Sequence, residues 1–255
     1  MCLAAPVFAA KQRITIAGSS TVAPLALEIA KRYESENPKV RIDVQTGGST
    51  RGINDARNKL IDVGMVSRAL SERESDLLPF LIALDGIGMV VHHNNPVTTV
   101  TPEQVRAIFT GQILNWQALG GHDQPITVVN KAEGRSTLEL FLKHFQLKNS
   151  KIKAHAVIGD NQQGIKTISG NPGAIGYVSI GAAEYEVSRG TPIKVLPLSG
   201  QPARVETVRS GAYPLSRQLN FVIAKQPNEW VRRFLVYAQS PAVADLIEAQ
   251  FFVKP

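Results

Sequence analysis

Apolar positions along this 255-residue chain alternate between two periods: short β-branched runs, and longer stretches that repeat every three to four residues. Arg13 to Ala17 reads as a short strand. A helix from about Val22 to Glu36 follows, because Val22, Leu25, Ile29 and Tyr33 share one face and Asn37-Pro38 stops it. Pro24 falls in its first turn, where a missing N–H does little harm. Val40 to Val44 alternates as a half-buried strand should, Gly52 to about Lys59 predicts a second helix, and Ile61 to Val66 a third strand. This β-α-β-α-β order predicts a mainly parallel sheet covered by helices.

The apolar run Leu81 to Val91 is too long for a simple edge strand and predicts a crossing between two lobes, with Gly86 and Gly88 allowing a bend. Thr101-Pro102-Glu103 starts a further helix, and Ile126 to Val129 begins a second set of strands. Asn171-Pro172-Gly173 turns into a strand reaching Val178, and Leu219 to Ala224 is another. Ser240-Pro241 opens an amphipathic helix carrying Val243, Leu246 and Ile247. The pattern predicts two α/β lobes.

Composition narrows the function. With 28 basic against 21 acidic residues the net charge is +7, a field that favours anionic partners. The basic residues are scattered and only 6% of the chain is aromatic, which argues against nucleic acid. No apolar run reaches the length of a membrane span. The single cysteine, Cys2, excludes an intrachain disulfide and any multi-cysteine metal site. Met1 to Ala10 is apolar, ends in small residues and stops at Lys11-Gln12-Arg13, so it reads as the remnant of a secretory signal peptide.

Three segments then stand out as strand, turn of small hydroxyl residues and helix start: Ala17-Gly18-Ser19-Ser20-Thr21, Gly47-Gly48-Ser49-Thr50-Arg51-Gly52 and Glu133-Gly134-Arg135-Ser136-Thr137. Helix N-termini carry unpaired N–H groups and partial positive charge, so each turn is a potential anion seat. Ser and Thr are also ordinary helix caps, and a single such turn means little. Three of them suggest convergence on one oxyanion, with Ser20, Thr21, Ser49, Ser136 and Thr137 as hydroxyl donors. Arg135 adds a planar fork for two oxygens of a tetrahedral anion, and Glu133 can hold that fork. Lys131 lies nearby. Ser67-Arg68 ends the third strand, where ligands of open α/β sheets tend to sit.

Other chemistries find little support. Gly48 to Gly52 lacks the Lys of a phosphate loop, and Arg51 breaks a G-x-S-x-G match around Ser49. His92-His93 would point to opposite faces of a strand and has no ligand cluster beside it. A serine hydrolase needs a base beside Ser20 or Ser49, and the sequence does not place His122, His144 or His155 there. The reading is of a binding protein without cofactor or metal.

With these motifs in order, the chain resembles the periplasmic phosphate-binding proteins of bacterial ABC phosphate-uptake systems. The resemblance runs from about Ile14 to the C-terminus. It rests on Ile16 to Pro24, Thr46 to Gly52, Ile61 to Arg68, Leu84-Asp85-Gly86, Ile108 to Ile113 with Asn115-Trp116, Pro172 to Tyr177, and Tyr213-Pro214-Leu215-Ser216-Arg217. It implies an α/β, type II-like periplasmic-binding-protein fold with a two-stranded hinge. Lobe 1 would comprise residues 11–88 and 215–255, and lobe 2 residues 89–214. It further implies a periplasmic monomer that closes over inorganic phosphate and delivers it to the ABC permease subunits. Implied ligand residues are Ser20, Thr21, Ser49, Ser67, Arg68, Arg135, Ser136 and Thr137.

Two departures bear on specificity. Many members end the third strand in an Asp that accepts the proton of hydrogen phosphate; Ser67-Arg68 stands there here, as in one branch of the family. In the third turn Lys131, Arg135 and Ser136 occupy the places of the usual Arg, Ser and Gly. A carboxylate facing an unprotonated oxygen is repelled, so without it sulfate, arsenate, molybdate or tungstate are alternative ligands. A phosphate sensor uncoupled from uptake would share the same site.

Overall fold

The computed structural model describes residues 11–255; the leader-like segment and Cys2 lie outside them. The first half of the chain runs β1 (Gln12–Gly18), α1 (Ala23–Glu36), β2 (Val40–Thr46), α2 (Ser49–Arg57), β3 (Val63–Val66) and β4 (Leu77–His92). The middle adds α3 (Pro102–Phe109), β5 (Thr127–Lys131), α4 (Ser136–His144), β6 (Ala156–Ile158), α5 (Asn161–Ser169), β7 (Ala174–Ser179), α6 (Ile180–Ser188) and β8 (Ile193–Leu196). The chain ends with α7 (Val205–Arg209), β9 (Ser216–Ala224), α8 (Glu229–Ala238) and α9 (Ala244–Ala249).

The strands order as β2-β1-β3-β9-β4-β7-β5-β6, with β8 also on β4. β1 is parallel to β2 and β3, and β5 is parallel to β6 and β7, as βαβ crossovers require. β4 joins the two halves. Its Leu77–Gly86 portion pairs antiparallel with β9, and from Ile87 it pairs instead with β7. The chain crosses a second time just before β9, where Ile87 N donates to Leu215 O at 3.0 Å and Tyr213 Oη to Ile87 O at 2.9 Å. These are the two hinge connections of a two-lobed fold.

Each half has its own core. One packs Ile14, Ile16, Leu25, Ile29, Met65, Phe221 and Phe234; the other packs Met89, Ile108, Phe109, Trp116, Phe141 and Tyr177. Burying each such side chain contributes about 1.5–3 kcal/mol, so each half is well supplied.

The structure refines the sequence reading at several points. α2 starts at Ser49, three residues before the expected Gly52, because Gly48 takes φ 93° and turns the chain into the helix directly. β3 begins at Val63 and β4 at Leu77 rather than Ile61 and Leu81. Gly86 supplies room at the crossing, not a bend. Its φ is ordinary, but a Cβ there would stand 2.6 Å from Ile180 Cδ1. The helix expected from Ser240-Pro241 is a short 3₁₀ turn followed by α9. The two histidines do not alternate as strand neighbours. β4 ends at His92, and the rings of His92 and His93 lie 4.7 Å apart, although only His92 is buried. Among the described residues no His, Cys, Asp and Glu cluster of three or more could hold a metal, and no helix is long and apolar enough to cross a membrane.

Candidate functional site

All three hydroxyl turns open into one small chamber. It is lined by Ser19, Ser20 and Thr21 before α1, Gly48 and Ser49 at the start of α2, Ser67 after β3, and Arg135, Ser136 and Thr137 at the start of α4. It is tight, with about 170 Å³ of empty space even when its open mouth is included. Main-chain bonds fix the turns against each other. Gly47 N and Gly48 N both donate to Gly18 O at 2.8 Å, and Ser19 N donates to Met65 O at 2.8 Å.

These hydroxyls are not helix caps. α1, α2 and α4 have Val22, Gly48 and Arg135 at their N-cap positions, and none makes a side-chain capping bond. The other long helices cap in the usual way, with Thr101, Asp160, Ser179 and Asn228 accepting from α3, α5, α6 and α8, while the short α7 and α9 have no side-chain cap. At the three helix ends that meet in the chamber, all on helices of eight residues or more, the side-chain cap is missing. Their free N–H groups and dipoles therefore add along with the hydroxyls.

Two polar atoms there are buried without a partner, Arg135 Nε and Ser136 Oγ. A buried unsatisfied group costs about 1–3 kcal/mol, which a ligand would recover. Among the sequence candidates, Ser20, Thr21, Ser49, Ser67, Arg135, Ser136 and Thr137 come together here. Arg68 does not. Its guanidinium is held by Glu74 at 2.8 and 2.9 Å and by Glu139 Oε2 at 2.7 Å, and it keeps the Glu74 carboxyl down to about 2. Glu133 does not hold Arg135 either; it accepts from Asn149 Nδ2 at 3.0 Å.

A deeply buried arginine stands behind the chamber, one to which the sequence motifs gave no role. Arg217, the second residue of β9, lies directly across from Asp85 in the β4–β9 register. Its Nε and Nη2 donate to Asp85 Oδ2 at 3.0 and 2.7 Å, and both side chains are 1% exposed. The remaining donors reach Thr137 Oγ1 at 2.9 Å and Thr21 Oγ1 at 3.2 Å, so one guanidinium behind the chamber orients hydroxyls from both sides. Both residues sit in quoted motifs, Leu84-Asp85-Gly86 and Leu215-Ser216-Arg217, but nothing local in either signals the pairing.

Lys131 is buried, against the ordinary expectation of exposure for a lysine, and donates to Asp160 O at 2.9 Å and Asn161 Oδ1 at 3.0 Å. Asn161 Nδ2 in turn donates to Thr21 Oγ1 at 3.1 Å. Burial, and then the neighbouring Arg217, push the Lys131 ammonium down to about 7 against a weaker opposing pull from Asp160. Its unfolded value of 10.5 is higher, so over the window between the two the unfolded chain binds more protons and stability rises with pH. The free-energy difference between wild type and K131M should therefore move in the wild type's favour as pH rises from about 7 towards 10. Urea denaturation at pH values across that window checks the sign, and a gap that does not change would place the Lys131 titration elsewhere.

The halves are closed over the chamber. Thr50 N donates to Gly134 O at 3.3 Å, and Thr50 Oγ1 and Arg68 both bond Glu139. A Cβ on Gly48 would lie 2.7 Å from Gly134 O and 2.8 Å from Arg135 Nη1, so only glycine permits this approach. Among the described residues, no histidine and no carboxylate lines the chamber.

A two-lobed α/β fold closed over a chamber of hydroxyls, helix N-termini and arginine defines a solute-binding protein for a small anion. The chain belongs to the PBP superfamily, whose domain profile matches residues 6–242. The phosphate-binding protein PstS of Bacillus subtilis is 29% identical over 232 residues, 89% of this chain and 75% of its own length. PstS of Borreliella burgdorferi is 27% identical, covering 94% of this chain and 89% of its own. A Clostridium perfringens chain with bound phosphate, described as a phosphate ABC transporter substrate-binding protein, superposes with a TM-score of 0.89 at 29% identity. That match covers 96% of this chain and all of the other. An ABC-type phosphate transport receptor from Vibrio cholerae gives 0.78 at 29% identity, with the same coverage. The resemblance read from the motifs is borne out, and the relatives are named as binding proteins rather than enzymes.

Proposed function

We propose that this protein captures inorganic phosphate outside the cytoplasm and delivers it to an ABC permease. The observation that carries this reading is the meeting of three side-chain-uncapped helix N-termini in one chamber that also holds an unpartnered guanidinium nitrogen. Backbone N–H groups and hydroxyls of Ser20, Thr21, Ser49, Ser67, Ser136 and Thr137 surround the anion, and Arg135 completes the shell. Arg217 and Lys131 stand behind them and orient Thr21, Thr137 and Asn161. Arg68 serves closure, tying β3 to α4 through Glu139. The relatives named for phosphate binding, and the solved structure that contains it, support the choice of ligand.

The lobes would divide at 11–88 with 215–255 and at 89–214, acting as a periplasmic monomer without metal or cofactor. The similar ABC phosphate transport proteins support the permease partner, and the apolar Met1–Ala10 segment supports export. Calorimetric titration of ligand-stripped protein with phosphate should give one-to-one binding, micromolar or tighter, with sulfate, arsenate, molybdate and tungstate as competitors. No heat with any of them would overturn the reading. The chamber's lack of a carboxylate favours one second reading, in which another tetrahedral oxyanion binds better; the same titrations decide it.

A further inference from the structure

If the chamber holds hydrogen phosphate, some group must accept the ligand's proton, and no carboxylate is there to do so. The hydroxyls differ in what they already accept. Thr21 Oγ1 receives Arg217 Nη2 at 3.2 Å and Asn161 Nδ2 at 3.1 Å, so both of its lone pairs are used and its O–H can only donate. Thr137 Oγ1 receives Arg217 Nη1 at 2.9 Å, Ser49 Oγ receives Ser67 N at 3.2 Å, and Ser19 Oγ receives Thr21 N at 3.2 Å. Ser67 Oγ receives a longer contact from Arg217 Nη1 at 3.5 Å. Each of these groups is biased to send its proton towards the ligand.

Ser136 is different. It is 1% exposed, it lines the chamber, and its Oγ has no hydrogen-bond partner. Ser20, the other chamber-lining hydroxyl without a hydrogen bond, is half-buried and also lines a larger outer cleft, where water can serve it. Ser136 is also the first residue of α4, so its N–H has no intrahelical acceptor. One residue thus offers a donor and a free acceptor side by side, which matches neighbouring P–O⁻ and P–OH groups.

We propose that Ser136 Oγ accepts the proton of hydrogen phosphate and thereby sets the preference for phosphate over fully deprotonated tetrahedral dianions such as sulfate. The assignment rests on the phosphate reading above. A hydroxyl can rotate and donate where a carboxylate can only repel, so sulfate binds more weakly rather than being refused outright. The loss of Ser136 Oγ removes the acceptor from phosphate, whereas sulfate loses one donor among several.

The test is calorimetric titration of wild type, S136A and S136T with phosphate and with sulfate at about pH 8, where phosphate is mainly the singly protonated dianion. The S136A change is nearly isosteric, and far-UV circular dichroism with a thermal melt confirms the fold. The expected result is a fall in phosphate-over-sulfate preference of about tenfold or more in S136A, with S136T close to wild type. Equal losses for both anions, or no loss, would overturn the assignment while leaving the phosphate reading intact. A wild type that binds no phosphate would remove both.

Discussion

Replacing Arg217 with Ala is expected to destabilise the protein by about 3–5 kcal/mol and to abolish tight anion binding. Asp85 is 1% exposed, and without Arg217 its carboxylate keeps only the Gly181 N–H, at 3.2 Å, in a site that excludes water. A buried charge left unpaired costs far more than the pair contributes, because the full desolvation penalty then stands against little attraction. The site suffers separately. Thr21 and Thr137, which come from opposite sides of the chamber, lose the guanidinium that directs their hydroxyls inward. The two effects can be taken apart with the double variant Asp85→Leu/Arg217→Met. Apolar replacement of both partners of a buried pair is often neutral or stabilising. Most of the stability should return in urea denaturation while phosphate titration stays flat. A single variant as stable as wild type would show that the Asp85–Arg217 pair does not persist in solution.

Arg135→Ala should weaken phosphate binding by at least tenfold without lowering the melting temperature of the ligand-free protein. Charge-assisted hydrogen bonds contribute about 1.5–3 kcal/mol, and every 1.4 kcal/mol is tenfold in affinity. The opposite behaviour of stability and affinity is the informative part. Arg135 Nε is buried with no partner within the protein, so its removal relieves an unsatisfied donor rather than breaking a bond. Calorimetry and a thermal melt on the same preparation read both quantities. Unchanged affinity would take the third turn out of the site.

Arg217 and Arg135 belong to different physical categories, although both are arginines at one chamber. Arg217 is neutralised by Asp85 and acts by orienting hydroxyls, so its charge is not free for the ligand. Arg135 is the cation whose donor is uncommitted. Arg68, the third sequence candidate, spends its charge on Glu74 and Glu139 and contributes to the closed arrangement instead. This partition shapes the proposed specificity: the chamber is rich in donors, has no carboxylate, and has one buried hydroxyl free to accept.

Much of the site could be read from sequence because its parts are local. A strand, a Gly-containing turn, paired hydroxyls and a helix start lie within five or six residues of one another, and hydrophobic periodicity fixes the elements on either side. The alternation predicted two α/β lobes, and the three turns predicted one oxyanion seat; the fold joins those turns in a single chamber. Tertiary structure alone decided which polar groups are spent on each other. Arg217 meets Asp85 across 132 residues of chain and Thr21 across 196, and Arg68 meets Glu139 across 71. The burial of Lys131, the pairing of Glu133 with Asn149 and the unpartnered Ser136 hydroxyl follow from neighbours brought in by other elements. Periodicity fixes which face of an element is buried, because that depends on a residue's own neighbours along the chain. The partner of a charged or hydroxyl group depends on packing between elements, and it is there that the chemistry of this site is settled.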